Sequence, residues 1–215
     1  MPDPVSAREI HHRVKNSLQI IASILRLQMR REESTEAQHA LSGAVNRILG
    51  LVQVHELLAR DERSVVSLAE LLHRLLALNT EHLLMPGQSI RPSVEGPDAA
   101  VDAVSAQSVG IVVNELAINA LKHAFSGVER GRLAARIRPE EGRIAIEIAD
   151  DGVGLPPGFH LTGGSHLGLR LVQSILREDL LGTFEMGREG EWTVARLRFP
   201  WPRPAGPSRE PNVPA

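Results

Sequence analysis

Two adjacent histidines open the chemistry of this chain. His11 and His12 stand in the stretch Glu9-Ile10-His11-His12-Arg13-Val14-Lys15-Asn16-Ser17-Leu18-Gln19. His11, Val14, Leu18, Ile21 and Leu25 recur at intervals of three and four, the signature of a helix seam packed against other helices, and this turns His11 inward. His12 shares its face with Asn16, Gln19, Ser23 and Arg26, all polar, so its imidazole projects into solvent. A neutral imidazole is a good nucleophile and titrates near physiological pH, so it can accept a phosphoryl group and later surrender it. A lone surface histidine more often does nothing, and nothing within this helix decides between the two. The decision rests on whether the chain also carries a nucleotide site.

Three separated pieces bear on that question. In Asn114-Glu115-Leu116-Ala117-Ile118-Asn119-Ala120-Leu121-Lys122-His123-Ala124, the residues Val113, Leu116, Ala117, Ala120, Leu121 and Ala124 form a broad apolar face, while Glu115, Asn119 and Lys122 form one polar stripe. Polar groups on a buried helix need partners. A magnesium nucleotide would supply them, since an amide oxygen suits Mg²⁺ and a lysine suits phosphate; the plain alternative is a solvated edge of a surface helix. Asp150-Asp151-Gly152-Val153-Gly154 follows directly on a predicted strand, and its glycines let a flat ligand approach the backbone while the carboxylate accepts from an amino group such as that of adenine. Acidic-glycine sequences are also common hairpin turns. Gly163-Gly164-Ser165-His166-Leu167-Gly168-Leu169 runs straight into a helix start, where free backbone amides bind phosphate.

Composition narrows the classes. The 215 residues have room for one large or two small domains, and 42% hydrophobic content fits a soluble globular chain. A formal charge of −2, only 3% aromatics and no tyrosine argue against nucleic acid as a partner. With no cysteine there is neither a disulfide framework nor a thiolate metal site. No apolar run has the form of a membrane span and the first residues lack the form of a signal peptide, so no membrane contact and a cytoplasmic location are expected of this segment.

The elements that must position these residues follow from pattern. Helices are predicted over 5–32 and, after a polar break, from about Leu41 to Leu58, an antiparallel hairpin. Ile20, Ile24 and Leu27 on the first and Leu51, Val54 and Leu58 on the second leave a second apolar flank. It is covered either by a partner hairpin, making a four-helix bundle across a homodimer, or by the chain's own second domain. Ser67 with Glu70 reads as a capping box for a helix from Leu68 to about Leu84. Strands are predicted at 89–94, 133–138, 143–149, 183–186 and 193–199, with helices at about 105–125 and 167–177. This order gives an α+β fold, a helical hairpin at 1–66 followed by an α/β sandwich at 67–201 with helices on one face of a mixed sheet. The prolines at 200, 202, 204, 207, 211 and 214 exclude helix and ladder pairing, so 202–215 is expected to be a disordered tail.

The order of polar-striped helix, strand, D-x-G-x-G, glycine loop and helix resembles the GHKL (Bergerat) ATP-binding fold shared by histidine kinases, type II topoisomerases, Hsp90-type chaperones and MutL-type repair proteins. Residues 105–199 cover that resemblance. His12-Arg13-Val14-Lys15-Asn16 ahead of such a domain resembles the H-R-x-x-N segment of sensor histidine kinases of the HisKA_2 and HWE type.

The resemblance implies an ATP-dependent protein-histidine kinase in two-component signalling. It would be a homodimer using ATP and Mg²⁺, autophosphorylating on His12 and passing the phosphoryl group to an aspartate on a response-regulator receiver domain. Asn119 matches the Mg²⁺ ligand, with Asn114, Lys122 and His123 nearby. Glu115 falls where related ATPases keep a water-activating base. Asp150 matches the adenine-reading carboxylate, Gly152 and Gly154 its turn, Gly164, Gly168 and Leu169 the second glycine box, and Thr193 a threonine near the adenine. Two departures stand out: Arg13 follows His12 where most such kinases place an acidic residue, so Glu9 one turn earlier is a candidate base, and the lid between Leu155 and His166 is short, with no phenylalanine box evident. Six Lys or Arg against three Asp or Glu over 1–32 would suit an acidic receiver pocket. A sensor domain is expected ahead of this segment or in trans. The competing reading is a non-catalytic histidine phosphotransfer or adaptor dimer with a vestigial ATP site.

Overall fold

The structure, a computed structural model, describes residues 7–59, 65–161 and 167–202. Helices α1 (Ala7–Arg31) and α2 (Thr35–Leu58) form the expected hairpin. Ser34 caps α2 by accepting from the Ala37 amide at 3.3 Å. His11 does turn inward, its Nδ1 lying 3.1 Å from Nδ1 of His55 on α2. Lys15 pairs with Glu56 at 3.3 Å, and Glu56 reaches Arg74 on helix α3 (Leu68–Leu83) at 3.7 Å, so charge ties the hairpin to α3. Ser67 caps α3 through the Glu70 amide at 3.0 Å.

The seam departs from prediction at one position. Ile21 is 45% exposed, and Ala22 beside it is buried instead. A helix with a single neighbour buries only a narrow strip, and at close approach the small side chain fits that strip. The chain's own fold covers only the α2 half of the second apolar flank. Val54, Leu57 and Leu58 of α2 are buried in the core shared with the rest of the chain, whereas Ile20, Ile24 and Leu27 of α1 stay at least half exposed.

Beyond the hairpin lie the short strand β1 (Val65–Ser67), strands β2 (Ser89–Glu95) and β3 (Ala100–Asp102), helix α4 (Ala103–Asn119) with a π-turn (Ala120–Ala124), strands β4 (Arg130–Glu140) and β5 (Arg143–Asp150), helix α5 (Leu167–Glu178), and strands β6 (Thr183–Glu189) and β7 (Trp192–Pro200). The main sheet has the order β2-β4-β5-β7-β6, with β2 parallel to β4 and the other pairs antiparallel. Sequence pattern missed the two-stranded pairing of β1 with β3, each three residues long. Such strands are too short to show a period.

Helices α3, α4 and α5 cover one face of the sheet. Leu71, Leu72, Leu75 and Leu76 of α3 and Val109, Val112, Val113 and Leu116 of α4 meet Leu133, Ile137, Ile144 and Ile146 there. The other face carries an ion-pair lattice, in which Glu147 accepts from Arg196 at 2.8 Å and pairs with Arg138 at 3.4 Å, while Arg132 lies over the Trp192 ring at 4.5 Å. The stretch Ala103–Ala124 is long and apolar enough to cross a membrane, but most of it is buried inside the protein as the central core helix. The tail reading needs one correction: Pro200 ends β7 in register with Arg143. A proline is tolerated at a strand end, where its missing N–H interrupts no ladder. Residues 203–215 lie outside the described residues.

Leu72 is fully buried between α4 and the sheet. Leu72→Ala is expected to lower unfolding stability by about 3 kcal/mol, read as a lower urea midpoint at unchanged slope. A loss below about 1 kcal/mol would mean that this layer collapses without the side chain.

Candidate active site

A cavity of about 180 Å³ opens between the C-terminal end of α4, the ends of β5 and β7, and the segment after Gly154. Asn119, His123, Asp150 and Thr193 supply its polar groups. Its walls are otherwise apolar, with Leu116, Ile148, Phe159, Leu169, Met186 and Ala195. Helix α4 reaches the cavity because its flanks are buried almost all round, and the π-turn then changes its pitch. The Phe125 amide donates back to the Ala120 carbonyl at 3.3 Å. A π-turn widens the helix by one residue and recurs at functional sites; here Ala120, His123 and Ala124 face the cavity.

The D-x-G-x-G turn is pressed onto that helix end. The Val153 amide donates to the Ala124 carbonyl at 2.9 Å, and a Cβ on Gly152 would collide with that same oxygen. Only glycine allows this approach. Asp150 is 5% exposed, and its Oδ1 accepts from the Gly152 amide at 3.2 Å. Burial pushes its carboxyl up to about 6, against the stabilising Gly152 N–H; the neighbouring charge of Asp151 adds to the rise, and the Thr193 hydroxyl opposes it. A buried acceptor among apolar walls is suited to a flat heterocycle that donates an amino hydrogen.

The remaining residues of the polar helix are arranged differently. Asn114 does not line the cavity: its amide donates to the Asn46 carbonyl at 3.1 Å and its oxygen accepts from Asn79 at 2.9 Å. Glu115 is buried and forked by Arg47 of α2, with Nε to Oε1 at 2.5 Å and Nη2 to Oε2 at 3.0 Å. Lys122 is exposed and outside the lining. Gly168 lies against Glu115, where an added Cβ would come within 2.6 Å of Oε2. Gly164 lies outside the described residues.

His12 is exposed, as its helical face predicted. Arg13 pairs with Glu9 at 2.6 Å along the same helix. The structure does not bring His12 to the cavity. Helix α2 packs antiparallel on α4, with Val54 facing Gly110, Gly50 facing Asn114 and Arg47 facing Glu115. The cavity therefore lies beyond the Arg47 level, while His11 and His12 stand at the His55 level. At the helical rise, Arg47 to His55 spans about 12 Å and Glu115 to Asn119 about 6 Å, an axial offset of about 18 Å between His12 and Asn119.

Two family models match this chain: one described as histidine kinase, over residues 9–82, and one described as histidine kinase-, DNA gyrase B- and HSP90-like ATPase, over residues 105–203. The sensor histidine kinase PdtaS of Mycobacterium tuberculosis is 34% identical over 180 residues, 83% of this chain and 36% of that protein. The chain belongs to the HisKA_2/HWE-type histidine kinases.

Other histidine kinases agree with this assignment. Blue-light-activated histidine kinase 2 of Erythrobacter litoralis is 28% identical over 196 residues, 89% of this chain and 56% of that protein. The solved histidine kinase domain of a blue-light-activated kinase from the same organism superposes with a TM-score of 0.65 at 26% identity, covering 89% of each chain. The chain thus spans about a third to a half of the curated relatives' length. The GHKL-type domain implies ATP binding.

Sequence reasoning missed several contributors. Asn79 was legible, since an asparagine one turn beyond Leu75 and Leu76 on an apolar face demands a partner. Phe159 was legible as the aromatic of the segment after the glycine turn. Arg47 was not: its partner lies 68 residues away, and nothing local marks it.

The buried Asp150 carboxyl gives the cavity a pH signature. The folded chain favours the protonated carboxyl, so this group's contribution to stability is fully present below pH 3.8 and is lost as pH rises through about 6. The affinity of a ligand that donates to Asp150 runs the other way, because the carboxylate is the better acceptor. ADP binding is expected to weaken about tenfold from pH 7.5 to pH 5 beyond any change shared by Asp150→Asn. Parallel curves for the two proteins in calorimetric titration would remove Asp150 from the recognition.

Proposed function

We propose that this chain is the ATP-dependent autophosphorylating core of a two-component histidine kinase, with His12 as phosphoacceptor. The observation that carries the reading is the pairing of a solvent-exposed imidazole on a helical hairpin with a cavity holding a buried, charge-starved carboxylate. An imidazole nitrogen of His12 attacks the γ-phosphorus, the bond to the β–γ bridging oxygen breaks and ADP leaves. The imidazole proton passes to Glu9, one turn away, whose pairing with Arg13 moves as the charge develops. The phosphoryl group then goes to an aspartate oxygen on a receiver domain of a response regulator. The N–P bond breaks as the acyl phosphate forms.

The residues present fit a magnesium nucleotide. Among the described residues no cluster of three or more His, Cys, Asp or Glu could cage a metal. Mg²⁺ binds through few protein ligands plus phosphate and water, so Asn119 on the cavity wall suffices. When bound, the ion supplies neutralisation of phosphate charge. Asp150 and Thr193 hold the adenine end, His123, Gly154 and Leu169 line the space between, and Lys122 and the glycine segment at 164–168 serve the phosphates. Residues 1–66 make up the phosphoacceptor hairpin, 67–201 the ATP-binding domain and 202–215 a tail. The core works in the cytoplasm, with input from a sensor segment ahead of it or in trans.

The α1 flank supports a homodimer. Ile20, Ile24 and Leu27 place large apolar groups in water on one face, and a second hairpin covers such a face in a four-helix bundle. Ile20→Glu with Ile24→Glu is expected to leave a 23.5 kDa monomer in sedimentation where the wild type has twice that mass. Equal masses would discard this interface.

Incubation with γ-labelled ATP tests the chemistry. Acid-labile, alkali-stable label on the protein is expected, abolished by His12→Gln and retained by His11→Leu. Glu9→Gln is expected to slow labelling by about 100-fold, and an unchanged rate across pH would remove Glu9 as the base. Label surviving His12→Gln would overturn the assignment of the phosphoacceptor.

A further inference from the structure

The contact between the hairpin and the ATP-binding domain is unusually specific for two amphipathic helices. Arg47 of α2 engages both oxygens of Glu115, whose side chain is only 4% exposed. Asn114, the preceding residue, donates to the Asn46 carbonyl, accepts from Asn79 of α3 and packs on Gly50. One turn further back Gly110 receives Val54, and a Cβ there would come within 2.5 Å of the Val54 Cγ2. Apolar faces slide past one another at small cost, whereas this fork and these amide bonds form in a single register. The fork also abuts the nucleotide site: the point where a Gly168 Cβ would stand lies 2.6 Å from Glu115 Oε2 and 3.6 Å from the amide nitrogen of Asn119, which lines the cavity.

In that register His12 is about 18 Å from Asn119 along the paired helices, whereas reacting atoms must approach to about 3–3.5 Å. Dimerisation does not remove the offset. In a parallel bundle with its two-fold axis along the helices, the partner's cavity stands at the same axial level as the chain's own.

We propose that Arg47 is a positioning residue that latches the hairpin out of reach of the nucleotide, so that the docked register is a resting state and phosphorylation of His12 requires α2 to leave α4. This regulation rests on the phosphoacceptor reading above. Val54, Leu57 and Leu58 of α2 supply the apolar contact, and the two-point fork of Arg47 on Glu115 fixes the register in which that contact is made.

The chain has no cysteine, so Val54→Cys with Gly110→Cys reports the register directly. The two positions are close enough for an intramolecular disulfide, formed when diamide takes two electrons and two protons from the thiol pair. The crosslinked full chain is expected to bind ADP within about twofold of the parent yet to label on ATP at least about tenfold more slowly, with dithiothreitol restoring the rate. Labelling of the crosslinked chain as fast as the dithiol form would overturn the proposal. A second arm does not depend on kinase activity: adding Arg47→Gln to the cysteine pair should slow disulfide formation about tenfold, with Arg47→Lys between the two. Unchanged crosslinking in Arg47→Gln would overturn the latch even if the protein labels normally. Slowed crosslinking in a protein that binds ADP and never labels would uphold the latch and sink the phosphoacceptor reading instead.

Discussion

Helix α4 is buried on nearly every side, and a polar group on such a helix destabilises the fold unless something meets it. Three side chains on it raise this demand, and each is answered differently. Asn114 is answered by Asn79 and the Asn46 carbonyl, Glu115 by Arg47, and Asn119 by an opening into a cavity. The first two answers come from the hairpin and α3, so the same requirement that keeps the core dry also docks the helical hairpin onto the sheet and its helices. The third leaves an amide available to a ligand. Burial, docking and ligand binding are thus consequences of one helix.

The cavity itself works by contrast. Its apolar walls accept a flat ring, and they also deny Asp150 the solvent that would stabilise its charge, which is why that carboxyl titrates near 6. The π-turn and the glycine turn meet at the Ala124 carbonyl and bring the strand end, with Asp150, to the cavity wall. On the far side of the sheet the same strands present arginines and glutamates in pairs, from the exposed Arg132–Glu191 to the buried Glu147 held by Arg196. The exposed pairs individually contribute little, and they keep that face in water and the helices on the other.

Much of this was legible before any coordinates. Periodicity placed α1, α2, α3, α4 and the five strands of the main sheet, because each is long enough to repeat its pattern. The exposure of His12 followed from its polar neighbours, and of the residues singled out Asn119, His123, Asp150, Gly154, Leu169 and Thr193 line one cavity. The errors were local: Ile21 and Ala22 exchanged roles where two helices approach closely, Pro200 closed a strand, and β1 and β3 were too short to leave a trace.

What the order of residues settles is anything set by a repeat or by backbone chemistry: which face of a helix is polar, where glycine permits a turn, where a chain cannot continue a helix. The polar stripe put Glu115, and the family resemblance put Asn114, among groups meant for a nucleotide. Folding assigned them to α2 instead, because a partner 68 residues away fills a buried position better than solvent can, and pairing at that distance has no local signature. The register of α2 on α4, and with it the separation of His12 from the cavity, belongs to the same class: it depends on which side chains meet once the core has closed.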